Sequence, residues 1–166
     1  TSRVGEGTRV VVVTPHRIVN ENVPMVKDSP LSSRDKFVGK RILLADDDPV
    51  TCEIVTDMIK SVGAEIVCVG SGNECYRKID MSPAGSFDAV LMDLKMPRGN
   101  GFETTARIRK MDDDRKASIL ILGLSASAFD EEKQAALDIG MNGHIAKPVD
   151  IKLVIKEIRR IKEGRG

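Results

Sequence analysis

The sequence of 166 residues is poor in aromatic residues, cysteine and histidine. It has no Trp, one Tyr and four Phe, so its core must be built mainly from aliphatic side chains. The three cysteines, Cys52, Cys68 and Cys75, are odd in number, and neither they nor the two His show metal-ligand spacing. This pattern argues against a disulfide framework or a zinc site, and it favours reduced thiols in a cytosolic protein.

Long apolar runs and a strong net charge are missing as well. Runs such as Ile119–Leu124 are far shorter than the roughly 20 residues that span a bilayer. The N-terminus has no signal-peptide pattern, and a net charge of +1 gives no electrostatic reason to bind nucleic acid or a membrane. We expect a cytoplasmic chain without such contacts. Because it begins with Thr, we also expect a fragment whose parent can be membrane-anchored.

Short apolar segments alternate with amphipathic ones over residues 41–163. The predicted strands are Arg41–Ala45, Glu65–Val69, Phe87–Met92, Ser118–Leu124 and Gly143–Ala146. The predicted helices run from Pro49 (capped by Asp48) to a stop at Gly63, and over Ser71–Met81, Phe102–Met111, Asp130–Gly140 and Asp150–Glu163, with Asp112–Asp114 as solvated loop. The third and fourth strands are apolar almost throughout, so helices must cover both faces of the sheet. The pattern predicts an α/β fold, a flavodoxin-like (βα)5 doubly wound parallel sheet with strand order 2-1-3-4-5.

The first 40 residues have a different composition from this alternating region. Arg9–Thr14 is a strand candidate, whereas Pro15, Pro24 and Pro30 interrupt a stretch rich in Ser, Asp and Lys. The sequence therefore divides into a segment over residues 1–14, a linker over 15–40 and a domain over 41–166.

Charged and hydroxyl side chains stand at the ends of four predicted strands. They are Asp46 and Asp47 after the first, Asp93 after the third, Ser125 after the fourth and Lys147 after the fifth. Because the carboxyl ends of parallel strands share one edge of a sheet, these side chains should converge there. Clustered carboxylates repel one another unless a cation neutralises them, and Mg²⁺ binds carboxylates together with water and phosphate oxygens. The cluster predicts a magnesium site where one carboxylate attacks phosphorus while the ammonium and hydroxyl hold phosphoryl oxygens.

Four motifs resemble those of the receiver domain of response regulators and hybrid histidine kinases. In chain order they are LLADDD, VLMDLKMP, LSA and AKP, each at the end of a predicted strand, and the resemblance extends across essentially all of residues 41–163. The resemblance implies transfer of a phosphoryl group from a phosphohistidine to Asp93 with Mg²⁺ or Mn²⁺. The domain would then act as a switch or relay the signal to a histidine phosphotransfer protein. Its own activity would be autocatalytic phosphorylation and dephosphorylation.

Carried over by position, the resemblance implies a phosphoacceptor and its metal ligands. Asp93 resembles the phosphoacceptor, which in the family also contacts the metal. Asp47 resembles the direct metal ligand, and Asp46 resembles the ligand that acts largely through metal-bound water. Lys95 is expected to offer its backbone carbonyl to the metal, with its side chain pointing away.

The resemblance also implies the residues that bind phosphate and respond to it. Ser125, the backbone of Ala126 and Lys147 would hold the phosphoryl group, and Pro148 follows a peptide bond that is commonly cis in this family. Ser125 and His144 would form the switch. His144 stands where many receivers have Tyr or Phe, so the aromatic part of the switch departs from the family pattern; a His is smaller and can titrate.

The N-terminal segment carries a second, shorter resemblance. GEGT at residues 5–8, followed by VVVVTP, is similar to the end of a histidine-kinase ATP-binding domain. This implies a hybrid histidine kinase as the parent, whose dimerisation and phosphorylation domain would supply the phosphoryl group.

Two partner surfaces follow from the receiver resemblance. The first predicted helix, with Val50, Ile54 and Met58, is where a phosphotransfer protein is expected to dock. The face formed by the fourth helix, fifth strand and fifth helix is the expected output surface, and it could also support a homodimer.

Two other functions use the same residues differently. Residues 46–50 also fit the nucleophile loop of haloacid-dehalogenase-type phosphatases, with Asp46 as nucleophile and Asp48 as acid/base. That alternative leaves the segment around Asp93 unexplained and lacks a further acidic motif after Lys147. The other alternative is a pseudo-receiver that only binds a partner, against which the complete set of strand-end residues argues.

Overall fold

A computed structural model describes residues 37–97, 99–126 and 130–164, which all belong to one compact unit. The kinase-like segment predicted over 1–14 and nearly all of the linker predicted over 15–40 lie outside the described residues. The proposed division of the chain at these boundaries therefore stays a prediction.

Strands and helices alternate through the described residues. In chain order the elements are β1 Arg41–Ala45, α1 Pro49–Ser61, β2 Glu65–Val69, α2 Gly72–Met81, β3 Ala89–Asp93, α3 Gly101–Arg109, α4 Asp114–Ala117, β4 Ile121–Ser125, α5 Asp130–Asp138, β5 Gly143–Ala146 and α6 Ile151–Glu163. Within the described ranges, no helix combines the length and apolar character needed to cross a membrane.

The five strands form one parallel sheet in the order β2-β1-β3-β4-β5, which confirms the predicted fold class. β1 lies between β2 and β3, with Leu44 opposite Cys68 on one side and Leu91 on the other. The chain thus reverses its direction of winding between β1 and β3. A crevice forms at such a point outside the carboxyl ends of the strands.

Two hydrophobic clusters cover the two faces of the sheet. Successive strand residues point to opposite faces, so Leu44 and Leu91 belong to one cluster and Leu43 and Met92 to the other. The first cluster includes apolar residues of α1 and α6, and the second includes residues of α2, α3 and α5. Every residue of β3 and β4 is buried, as expected for strands covered on both sides.

Local signals set the start and end of α1. The Asp48 side chain accepts hydrogen bonds from the backbone N–H groups of Val50 and Thr51, and Pro49 occupies the first turn. Gly63 follows the helix with a φ of +83°, a conformation that is costly for any residue with a Cβ atom. These features confirm the cap and the stop that the sequence predicts.

The predicted loop at Asp112–Asp114 is wrong in part. Asp113 caps a short helix, α4, by accepting hydrogen bonds from the N–H groups of Arg115 and Lys116. Arg109 holds the end of this turn, because its guanidinium donates to the Ala117 carbonyl at 2.6 Å. Four residues are too few to show helical periodicity, so the sequence pattern could not indicate this helix.

The third and fourth strands begin later than predicted. Phe87 and Leu120 are buried but precede the first ladder residues, Ala89 and Ile121. An apolar run marks burial rather than strand pairing, which explains the early predicted starts. Both strands also end one residue later than predicted, so Asp93 and Ser125 are the last residues of their strands.

Candidate functional site

Three carboxylates meet at the carboxyl edge of the sheet. Asp46 and Asp47 directly follow β1, and Asp93 ends the neighbouring strand β3. One carboxylate oxygen of each lies within 4.8 Å of the others. Asp46 and Asp93 are buried, whereas Asp47 is exposed. The predicted convergence of these three side chains is therefore present in the fold.

Lys147 reaches this cluster from the segment after β5. Its ammonium donates to Asp46 Oδ2 at 2.7 Å and to Asp93 Oδ2 at 2.9 Å. Burial alone lowers the pKa of Lys147, but the hydrogen bonds and charges of the two aspartates outweigh it and raise the pKa above its ordinary value. Lys147 is therefore charged at neutral pH. The Lys147–Pro148 peptide bond is cis, as the resemblance implies.

The second oxygen of each buried aspartate binds the backbone. Asp46 Oδ1 accepts from the Asp48 N–H, and Asp93 Oδ1 accepts from the Lys95 N–H, both at 3.0 Å. Each carboxylate is thus held at both ends, with Oδ1 in a turn of its own loop and Oδ2 facing Lys147. This leaves the orientation of the Asp93 carboxylate fixed before any ligand binds.

The donor set fits a hard divalent cation. Mg²⁺ and Mn²⁺ prefer carboxylate and carbonyl oxygens, and the cluster offers three carboxylates against one ammonium. The exposed Asp47 opens the cluster to solvent. Lys95, whose carbonyl is the fourth expected ligand, lies in the loop that continues from β3, two residues after Asp93.

Ser125 and His144 are joined by a hydrogen bond. Ser125 Oγ lies 2.7 Å from His144 Nε2, and the two residues sit on the neighbouring strands β4 and β5. Burial is the main cause of a lowered His144 pKa, with a contribution from Lys133, while Glu132 acts in the opposite direction. His144 is therefore neutral at physiological pH, and the Ser125 hydroxyl is bound to it.

Glu132 connects the switch residues to the loop after β3. Its carboxylate pairs with the Lys95 ammonium at 2.8 Å, so the Lys95 side chain turns towards α5. The Lys95 hydrogen bond is the largest cause of a lowered Glu132 pKa, and Ser125 also lowers it. The sequence did not indicate Glu132, because its neighbours Asp130 and Glu131 are acids in the same first turn.

Two further predicted features lie at or beside the edge. Ala126 is exposed directly after β4, and residues 127–129 are outside the described part of the chain, so the predicted role of its backbone stays a prediction. Val50 and Ile54 on α1 are exposed by 60% and 50%, whereas Met58 is half-buried. Such exposure of large apolar side chains on one helix face is compatible with a docking surface.

The sequence matches the response regulator receiver domain over residues 42–159. The chain belongs to this family. It is therefore a receiver domain of the kind found in two-component signalling systems.

Curated relatives of this receiver domain are histidine kinases and sensor proteins. It is 30% identical over 169 residues to the "Probable histidine kinase 6" of Oryza sativa subsp. japonica, covering 92% of this chain and 17% of that protein. It is 36% identical over 121 residues to the "Sensor protein GacS" of Pseudomonas syringae pv. syringae, covering 72% of this chain and 13% of that protein. The chain thus spans less than a fifth of the length of these relatives.

Solved receiver domains have the same fold. The receiver domain of the sensor histidine kinase PA1611 from Pseudomonas aeruginosa PAO1 is 29% identical, with a TM-score of 0.65, and the match covers 75% of this chain and 99% of that one. That structure is described with a magnesium ion coordinated in its active-site cleft. The chemotaxis protein CheY4 of Vibrio cholerae, at 24% identity and a TM-score of 0.65 over 74% of this chain and 98% of that one, supports the fold alone.

Proposed function

We propose that this receiver domain accepts a phosphoryl group from a phosphohistidine on Asp93 and thereby acts as a switch or a relay. The observation that carries the proposal is the position of Lys147, whose ammonium bridges Asp93 and Asp46 inside a cluster of three carboxylates. A structural ion pair would not need the third, exposed carboxylate of Asp47. Phosphoryl transfer needs both an acceptor oxygen and positive charge beside it.

The proposed cofactor is Mg²⁺, or Mn²⁺ in its place. Asp46, Asp47 and Asp93 would hold it with the Lys95 carbonyl, and the bound ion would neutralise negative charge on the carboxylates and the phosphoryl group. The donor set of the site supports this assignment. The magnesium ion described for the PA1611 receiver domain supports it as well.

Asp93 Oδ2 is the proposed nucleophile. Oδ1 is held by the Lys95 N–H, whereas Oδ2 faces Lys147, which can stabilise a phosphoryl oxygen next to it. As the bond from Oδ2 to phosphorus forms, the bond from phosphorus to the donor imidazole nitrogen breaks, and that nitrogen keeps the electron pair. The prior fixing of the acceptor supplies orientation, and the Lys147 ammonium supplies charge stabilisation without a costly rearrangement.

Ser125 is the proposed reporter of phosphorylation. Its hydroxyl is bound to His144 in the absence of a phosphoryl group, and it would exchange this bond for one to a phosphoryl oxygen. The Ala126 N–H would bind the same group. Loss of the Ser125 bond releases His144 and the Glu132–Lys95 pair beside it, which passes the change to β5 and α5.

The proposed partners follow from the relatives and from α1. Because the relatives are histidine kinases, we propose a hybrid histidine kinase as the parent, with its dimerisation and phosphorylation domain as the donor. The exposed Val50 and Ile54 would dock a histidine phosphotransfer protein beside Asp93. The α5-β5-α6 face is proposed as the output or homodimer surface.

The test is to identify which residue a small phosphodonor labels. The chain is incubated with acetyl phosphate and Mg²⁺, reduced with borohydride to trap acyl phosphates, digested and sequenced by mass spectrometry. We expect Mg²⁺-dependent modification of Asp93. Modification of Asp46 would indicate the phosphatase chemistry, and absence of any modification would indicate a pseudo-receiver.

A further inference from the structure

Two cysteine side chains line one cavity between α1 and β2. Cys68 Sγ lies 3.2 Å from Thr56 Oγ1, and Thr56 is one helical turn beyond Cys52 on the same face of α1. Cys52 Sγ donates to the Asp46 carbonyl at 3.4 Å, and the Cys52 and Cys68 side chains line one cavity. The sulfurs are therefore neighbours although 16 positions separate them in the sequence.

A cavity of about 270 Å³ gives solutes access to this thiol pair. Both thiols line it, together with Asp46, Asp47 and Gly70. Cys68 and Asp47 are exposed, so the cavity opens to solvent next to the carboxylate cluster. A molecule the size of hydrogen peroxide fits in this volume.

The two thiols differ in their environment. Cys68 is exposed, whereas Cys52 is partly buried. Cys68 is thus the thiol that a solute reaches first, and Cys52 lies behind it.

We propose that Cys52 and Cys68 are a modification site that hydrogen peroxide converts into a reversible intramolecular disulfide beside the carboxylate cluster. This proposal goes beyond phosphoryl transfer and does not depend on it. The third cysteine, Cys75, is fully buried in the cluster on the opposite face of the sheet and takes no part.

The oxidation balances in two steps. The Cys68 sulfur attacks one peroxide oxygen, so an S–O bond forms, the O–O bond breaks, and the departing hydroxide takes the Cys68 proton as water. The Cys52 sulfur then displaces the hydroxyl of this sulfenic acid, so the S–S bond forms, the S–O bond breaks, and the Cys52 proton leaves with the hydroxide as a second water. Two thiols lose two electrons, which reduce one peroxide to two waters.

The position of the pair links this chemistry to the site. A disulfide removes the S–H hydrogen of Cys52, so its hydrogen bond to the Asp46 carbonyl is lost. It also joins α1 covalently to β2 next to the loop that carries Asp46 and Asp47.

The test is intact-mass and peptide analysis of the whole chain after treatment with hydrogen peroxide. We expect a loss of two hydrogens, a cross-linked peptide pair containing Cys52 and Cys68, and full reversal by dithiothreitol. Cys75→Ala, the matched control, should give the same product. Cys52→Ser and Cys68→Ser should each abolish it, with folding checked by circular dichroism.

Three results would overturn the proposal. The first is a disulfide that includes Cys75, and the second is a dimer linked only through Cys68. The third is oxidation of Cys68 in the folded wild-type chain while Cys52 can still be alkylated. The mass readout requires no phosphorylation, so failure of the thiol proposal and failure of Asp93 labelling are separate results.

Discussion

The two edges of the sheet carry clusters built from the same residue types in opposite proportions. At the carboxyl edge, one lysine, Lys147, donates to two carboxylates, Asp46 and Asp93. At the amino edge, one carboxylate, Asp88, accepts from two lysines, Lys40 at 3.1 Å and Lys162 at 2.6 Å. Ion pairs alone therefore do not separate a reactive site from a structural one.

Burial and charge balance separate the two clusters. At the carboxyl edge, the ion-paired side chains of Asp46, Asp93 and Lys147 are exposed by 0%, 9% and 22%. At the amino edge, those of Asp88, Lys40 and Lys162 are exposed by 21%, 45% and 40%. With Asp47 counted, the carboxyl edge has an excess of two negative charges, whereas the amino edge has an excess of one positive charge. An excess of negative charge that is partly shielded from water favours the binding of a divalent cation. Exposed ion pairs such as those of Lys40 and Lys162 contribute little to the stability of the fold.

Cavity size does not distinguish the edges. A cavity of about 260 Å³ at the amino edge is lined by Asp88, Arg115 and Lys162 among others. It is nearly as large as the cavity of about 270 Å³ beside Asp46 and Asp47. The functional argument rests on the chemistry of the lining.

Replacing one lysine at each edge should give the largest difference between the edges, both in phosphorylation rate and in the free energy of unfolding. We expect Lys147→Met to slow phosphorylation by acetyl phosphate at least ~100-fold, because it removes a charge that stabilises the transferring group. It should also lower the free energy of unfolding in EDTA by roughly 2–3 kcal/mol, since it leaves two carboxylates without their partner. Lys162→Met should leave the phosphorylation rate unchanged and lower the unfolding free energy by less than about 1 kcal/mol. Equal effects of the two variants on the rate would contradict the comparison.

Mg²⁺ should stabilise the protein through one edge only. At a concentration 100 times its dissociation constant, the ion should raise the unfolding free energy by about 2.7 kcal/mol. Asp47→Asn should remove most of this gain, because it replaces a ligand charge by a weaker neutral donor. Asp88→Asn is the matched control at the amino edge and should keep the full gain, measured by urea unfolding with Mg²⁺ and with EDTA. A gain that survives Asp47→Asn would place the ion elsewhere.

His144 should give a smaller, pH-dependent effect at the carboxyl edge. Its pKa is lowered in the folded state, mainly by burial and also by Lys133, against the opposing charge of Glu132. The unfolded chain therefore binds more protons, and the stability from neutral His144 is complete above about pH 6.5 and lost as the pH falls through the lowered pKa. Urea unfolding at about pH 7.5 and about pH 5.5 should show a larger loss for the wild type than for His144→Gln. Equal losses would show that His144 does not carry the effect.

The sequence was enough to predict which polar residues stand at the carboxyl edge of the sheet. Asp46, Asp93, Ser125 and Lys147 each stand at the end of an apolar strand, and a parallel sheet brings such ends together whatever the details of packing. The strand order follows from the same alternation. These features depend only on short-range patterns and on topology.

The missed features depend on side-chain contacts between distant elements. Nothing in the sequence distinguishes Glu132 from its acidic neighbours, and its pairing with Lys95 is fixed only when α5 packs beside the loop after β3. Asp88 joins lysines 48 and 74 positions away, a separation that gives no pattern in a single sequence. The proximity of Cys52 and Cys68, which line one cavity, is hidden in the same way, since it depends on how α1 packs against β2.

The central claim is that Asp93 is the phosphoacceptor, and comparing Asp93→Asn with Asp88→Asn tests it most directly. Both variants remove one carboxylate from an edge of the sheet, and the stoichiometry of phosphorylation by acetyl phosphate with Mg²⁺ is measured for each, alongside circular dichroism. We predict complete loss of phosphorylation in folded Asp93→Asn and wild-type stoichiometry in Asp88→Asn. Wild-type stoichiometry in Asp93→Asn would contradict the assignment.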